Sequence, residues 1–452
     1  MIGLALRSLR YRASAFAASF LAMWLGAIIL MTFASMLDTA AGPGVDEVSK
    51  QALSLMATIV GGWGMLIVVF AVTSTLTLSV RQRGREMALL KSIGATPGQV
   101  GSMIVVEAGL VALVAAALAI PFAAVGGALL LSVLKDTGQV ATGIGYGFGS
   151  IAIQMGLGIT FVAAVAAALL TARRVTRMRA RDALADASME TSGMGRVRLI
   201  AAWVFLGAGL SCGVVTATVF NGKGIDAMAV GGQAAILSSI GLALFAPVLL
   251  RSVTAVLAAP LRGAGAAGYL TVINVRRRTQ QMAGALVPII LFTGIATGTL
   301  YMQGIENSAM PSAGTSTTAA DAKAIETLNF VVVGMIALFA AIMLINTLIA
   351  ATTYRRQEFG QQRLIGSTPG QVLRMVGFEG AALAITGVLF GSLAAVVAIV
   401  PYSLARTGTV FPEMGLALYL GIAGTALALT MAASLTTARR TLTTPAVEAA
   451  SA

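Results

Sequence analysis

Apolar residues in this chain come in long unbroken runs, and the charged positions are gathered into the short stretches between them. A bilayer core about 30 Å thick takes about 20 apolar residues in a helix. Ten runs meet that length: Ala13–Leu37, Met56–Val80, Met103–Leu134, Ser150–Leu170, Leu199–Phe220, Ala227–Leu250, Met282–Met302, Leu328–Ala351, Val376–Val400 and Gly415–Leu435. The first follows Arg7, Arg10 and Arg12, and its apolar stretch is too long for a cleaved signal peptide, so it reads as a span. The third holds Pro121, which predicts a kink or an early exit. The pattern predicts an all-α integral membrane protein with ten transmembrane helices.

Charge sets the orientation. Only 10% of the residues are charged and 58% are hydrophobic, whereas soluble domains carry about 25% charged residues. The formal charge is +13. With the N-terminus inside, 25 of the 30 Lys and Arg residues fall in inner segments, leaving Lys50, Lys135, Lys223, Lys323 and Arg406 outside. Loops rich in Lys and Arg stay cytoplasmic, so both termini are expected in the cytoplasm and no nucleic-acid partner is needed to explain the basicity. The excess of Arg over Lys, with abundant Ala and Gly, fits a bacterial plasma (inner) membrane. The longest outer loop, 303–327, is small and polar, and no extracytoplasmic domain fits there.

Several function classes fall away. The chain has no histidine, one cysteine (Cys212) and no Walker-A sequence. The commonest neutral-pH base and metal ligand is missing, as is the loop that cradles ATP phosphates. No enzyme activity, metal or cofactor is expected in this chain.

An internal repeat organises the rest. RGREMALLKSIGATPGQV (Arg83–Val100) recurs in the second half of the chain as RRQEFGQQRLIGSTPGQV (Arg355–Val372), with nine of 18 positions identical. The match continues to Glu107 and Glu379, and TARR recurs at Thr171 and Thr437. Residues 1–180 and 263–452 therefore read as two four-helix repeats, and 181–262 as a linker with a central helix pair. Six spans separate equivalent helices, so the copies are parallel. In each loop Thr96 or Thr368 is placed to cap a helix, with Pro97 or Pro369 at its first position and Gln three residues past the cap. Gly94 and Gly366 stand where a preceding helix would end left-handed.

Each loop thus predicts a short helix, 85–93 and 357–365, then a tight corner. A rigid helix made twice suits a partner that comes in pairs. Anchors at i and i+3 would be Met87 with Leu90 in the first copy; in the second, Phe359 meets the polar Gln362. Gly360 costs the second helix about 1 kcal/mol relative to Ala, so the first is expected to bind more tightly. Glu107 and Glu379 are acids near span ends. Such groups are functional candidates by default, but the shallow depth favours a structural ion pair to a nearby arginine. Glu86 and Glu358 fit either an arginine or a contact to the partner. No other charged residue is expected well inside a span, which disfavours an ion-coupled secondary carrier.

At REMALLKSIGATPGQV (Arg85–Val100), Glu107 and the ARR runs, the chain resembles the FtsX-like, MacB-type (type VII) ABC transporter permease family, in its ten-span branch. The resemblance implies a permease subunit that couples ATP hydrolysis on two copies of a separate ABC ATPase to movement of an apolar or amphipathic substrate, with ATP and Mg on the partner. It implies a coupling role for Arg85, Glu86, Met87, Leu90, Lys91, Gly94, Thr96 and Pro97, and for Glu358, Phe359, Arg363, Gly366, Thr368 and Pro369. Family members commonly carry a large extracytoplasmic domain; its absence here counts against the rival reading, a force-transmitting regulator of an external enzyme.

Overall fold

The computed structural model of the chain describes residues 13–82, 92–177, 194–221, 225–309, 355–410 and 415–451, with isolated positions between 87 and 90 and between 333 and 348. Arg85, Glu86, Lys91 and most of the predicted eighth span lie outside the described residues. Among the described residues every regular element is helical and none is a strand. Eight helices among these residues are long and apolar enough to cross a membrane.

In chain order the helices are α1 (Ala13–Ala40), α2 (Glu47–Leu55), α3 (Gly61–Gln82), α4 (Pro97–Asp136), α5 (Ser150–Arg177), α6 (Arg196–Thr218) and α7 (Ile225–Leu244). Then follow α8 (Ala246–Gly263), α9 (Ala266–Arg277), α10 (Thr279–Ala309), α11 (Arg356–Leu364), α12 (Pro369–Thr407), α13 (Leu416–Leu442) and α14 (Ala446–Ser451). The second predicted span, Met56–Val80, corresponds to a π-helical turn followed by α3. A π-helical turn, Met56–Val60, joins α2 to α3.

Two expectations are corrected. Of the kink or early exit expected at Pro121, the exit is overturned: α4 runs through it as one 40-residue helix, about 60 Å long and so twice the bilayer core. The sixth span ends at Leu244 instead of Leu250, and α8 starts after Phe245 alone. Pro247, in the first turn of α8, lacks an N–H and so cannot bond the Ala243 carbonyl, which weakens the helix at this joint.

The helices fall into two compact units. In the first, α1 packs on α3, α4 and α5. Its core is built from small residues and methionine, with Ala27, Met31, Ala116, Ala119 and Ala123 buried together. Trp24 meets Phe122 edge-on at 5.0 Å. A Cβ at Gly127 would lie 2.1 Å from the Tyr146 hydroxyl and 2.4 Å from Ser35 Oγ; close backbone approach of this kind is how helices associate without a hydrophobic drive between them.

In the second unit, α10 and α12 pack along one another, with α7 against both and α6 on α7. A Cβ at Gly391 would lie 2.6 Å from Thr293 Cβ and 3.0 Å from the Ile290 carbonyl. Arg198 Nε donates to the Leu244 carbonyl at 2.7 Å, satisfying an orphan acceptor at the end of α7. The start of α6 and the end of α7 therefore lie at one level. α6 leaves Ile200, Trp203, Val204 and Val214 exposed, an apolar face suited to lipid.

Candidate functional site: two matched turns

The two loops form the same turn. The Thr96 N–H donates to Gln99 Oε1 at 2.9 Å and the Gln99 N–H to Thr96 Oγ1 at 3.3 Å. Thr368 and Gln371 repeat both bonds at 2.9 and 3.3 Å. Pro97 and Pro369 begin α4 and α12. Gly94 and Gly366 have φ of +98° and +109°, a region open to glycine at little cost. Behind them the Ala95 N–H donates to the Leu90 carbonyl and the Ser367 N–H to that of Gln362, closing the preceding helix in a Schellman turn.

The side chains expected to anchor a partner point the other way. Met87 and Phe359, at matched positions, are each only 1% exposed, and Leu90 is half-buried. Phe359 packs with Val372, Met375, Ala438 and Leu442 inside the second unit. Pairing Met87 with Leu90 as an outward stripe is therefore corrected: this face fixes the short helix to its own chain. The exposed apolar residues are Leu89 and Ile93 (81%) in the first loop and Leu364 and Ile365 (87%) in the second. Ile93 and Ile365 occupy the same place in the two copies and are identical there, a signal present in the repeat but not used by the anchor argument.

Beneath the second turn lies a buried ionic network. Arg355, just before α11, donates bidentately to Glu379 of α12, its Nη2 reaching Oε1 at 3.1 Å. Its Nε reaches Glu358 at 3.2 Å, and its guanidinium covers the Phe359 ring at 4.8 Å. Glu358 also takes Arg278 Nη1 at 2.7 Å. Asn274 Nδ2 donates to Glu379 Oε1 at 3.0 Å. Glu379 is 3% exposed. Burial favours the neutral form of Arg355, but Glu379 and Glu358 outweigh it and hold the guanidinium above its ordinary pKa. Glu107, the matched acid of the first unit, is 1% exposed.

α14 covers the other side of α11. Arg363 Nη1 donates to the carbonyls of Leu442 (3.2 Å) and Thr444 (2.7 Å), and Arg356 meets Glu448 at 3.3 Å. A Cβ at Gly360 would lie 2.6 Å from the Ala450 nitrogen and 2.9 Å from the Ala446 carbonyl. The glycine that reads as a weakness in sequence is the point where two helix backbones cross.

One charged cluster escaped the sequence reading. Glu306 and Arg406, assigned to outer loops, lie within α10 and α12. Arg406 Nε and Nη2 each reach a Glu306 oxygen at 2.7 Å, and the Tyr402 hydroxyl donates to Glu306 at 2.6 Å. Both helices extend beyond the strictly apolar runs, carrying these groups into packed surroundings.

A family model described as the FtsX-like permease C-terminal domain matches the chain twice, over residues 58–179 and 330–446. No curated protein matches it.

Proposed function

From the premise that this chain belongs to the FtsX-like permease family and is a multi-pass membrane protein, we propose that it is the membrane subunit of an ABC transporter of the MacB type. In this reading ten spans form two parallel repeats, 1–180 and 263–452, around the central pair in 181–262, with both termini in the cytoplasm of a bacterium. Two ATPase subunits dock, one on each short helix, and the chain exports or extracts an apolar or amphipathic substrate.

The observation that carries the reading is the duplicated turn with an isoleucine at its tip. Ile93 and Ile365 are large apolar side chains left almost fully exposed on rigid, capped corners, and such groups mark contact surfaces when they recur at a built position. The network behind the second turn supplies the mechanical link. Arg355 ties α11 to Glu379, inside α12, and Glu358 ties it to Arg278, at the joint of α9 with α10. A push on α11 is therefore passed to both spans. Buried bidentate pairs suit this role through their fixed geometry, whatever their net stability.

The test uses the chain and an ABC ATPase co-expressed from the same genome, in lipid nanodiscs. Ile93→Asp and Ile365→Asp are each expected to lower permease-stimulated ATP hydrolysis by more than about tenfold, the effect of losing an interface anchor, while leaving thermal stability within about 0.5 kcal/mol, as for exposed sites. Full stimulation in both variants overturns the docking assignment.

A further inference from the structure

We infer that the helical hairpin α8–α9 is a binding surface for anionic phospholipid headgroups. The hairpin hangs from the membrane at both ends. α8 begins just after α7, a helix apolar enough to span, and α9 ends just before α10, another. At the first junction Trp203 packs edge-on against Phe245 at 5.3 Å, and Trp203 is largely exposed. Aromatic rings of this kind concentrate at the headgroup level. The hairpin therefore starts and finishes at the bilayer boundary, whatever path its middle takes.

Its surface has the chemistry of that boundary. From Ala246 to Arg278 there are five arginines and no acid. Arg278 is engaged by Glu358, and Arg251 lies against the Thr279 hydroxyl at 3.4 Å. Arg262, Arg276 and Arg277 are exposed. α8 buries Leu250, Thr254 and Ala258 along one face and leaves Val256 78% exposed on another. On α9, Tyr269 is 53% exposed and shares a helix face with Arg276, about two turns on. Exposed valine and tyrosine beside arginines that pair with no acid on the hairpin itself are costly against water and favourable where acyl chains meet phosphates. A guanidinium also matches a phosphate bidentately.

The chain alone tests this, without any ATPase. Protein purified with equal amounts of phosphatidylglycerol and phosphatidylcholine is examined by native mass spectrometry. Wild type is expected to retain phosphatidylglycerol about fivefold or more over phosphatidylcholine, as about one screened charge contact would give. Arg262→Gln/Arg276→Gln/Arg277→Gln is expected to bring the two near parity, whereas Arg439→Gln/Arg440→Gln, exposed arginines at the end of α13, keeps the preference. The wild-type preference should also fade between about 0.05 and about 0.5 M NaCl as the charges are screened, an arm that needs no variant. An unchanged preference in the triple variant, equal loss in the control, or a preference indifferent to salt overturns the inference.

Discussion

The two units close their far ends, away from the matched turns, in different ways. In the first unit the loop between α4 and α5 is stitched to α1 through backbone groups. Asp38 accepts the N–H groups of Ile151 and Ala152 at 3.1 and 2.8 Å, and the Thr39 hydroxyl and Gly147 exchange bonds at 3.1 and 3.2 Å. In the second unit the helices clasp one another directly through Glu306, Arg406 and Tyr402. Leu130 and Leu134, both buried, hold the places in the first copy that Tyr402 and Arg406 hold in the second. The matched turns kept their chemistry while the opposite ends diverged. Under the proposed docking of one ATPase subunit on each turn, a surface used twice would constrain both copies alike, and the opposite ends would be free of that constraint.

The clasp gives the sharpest way to break this comparison. Arg406→Leu leaves the buried Glu306 with Tyr402 alone and, Arg406 itself being partly exposed, is expected to cost about 1.5–3 kcal/mol, as for hydrogen bonds to a charged group. Glu306→Leu/Arg406→Leu, which places leucine at 406 as the first copy does at Leu134, is expected to recover most of that. Thermal unfolding of the purified protein in detergent reads both, and a double variant as unstable as the single one would show that the two ends are not interchangeable solutions.

A smaller effect is expected in the first unit. Asp38→Ala removes the acceptor for the first turn of α5 and should cost about 0.5–2 kcal/mol, as for other helix caps. Amide exchange should speed up at Ile151 and Ala152 and stay unchanged in α12 and α13. Exchange that accelerates in both units would contradict separate closures.

The smallest effect is a pH dependence in α2. Asp46 is held below the ordinary carboxylate range by hydrogen bonding from Ser49, side chain and backbone, the backbone bond measuring 3.0 Å. A depressed folded-state pKa means that the cap is complete above the ordinary aspartate value and is lost as pH falls through the lowered one. Protection at Glu47–Lys50, taken as exchange relative to the intrinsic amide rate at each pH, should therefore fall in acid, and Asp46→Asn should flatten the profile. Ser49 Oγ also accepts the Ala141 N–H at 3.0 Å, so a profile confined to α2, leaving Ala141 still, would separate the cap from the loop it supports.

Much of the site was legible before any coordinates. Thr-Pro-Gly-Gln after glycine specifies its own turn, because each residue answers a local demand: an acceptor for a free N–H, a fixed φ, a backbone without Cβ. The same locality explains why both copies came out alike. The anchor assignment failed at Met87 and Phe359 because spacing along a helix names a face without saying what lies under it. Arg355 heads the matched segment, opposite Arg83, yet its network draws on Glu379 in the following span and Arg278 before the preceding one.

Sequence by itself therefore determined the apolar runs, the doubled turn and the lack of histidine and of a Walker-A sequence, since run length, local capping and composition act over a few residues. Tertiary structure alone decided which side of each short helix faces out, that Gly360 is a helix crossing, and that Glu306 and Arg406 meet inside the fold. Those outcomes depend on contacts between segments far apart in the chain, where burial turns a loop charge into a clasp and a flexible glycine into a fitted contact.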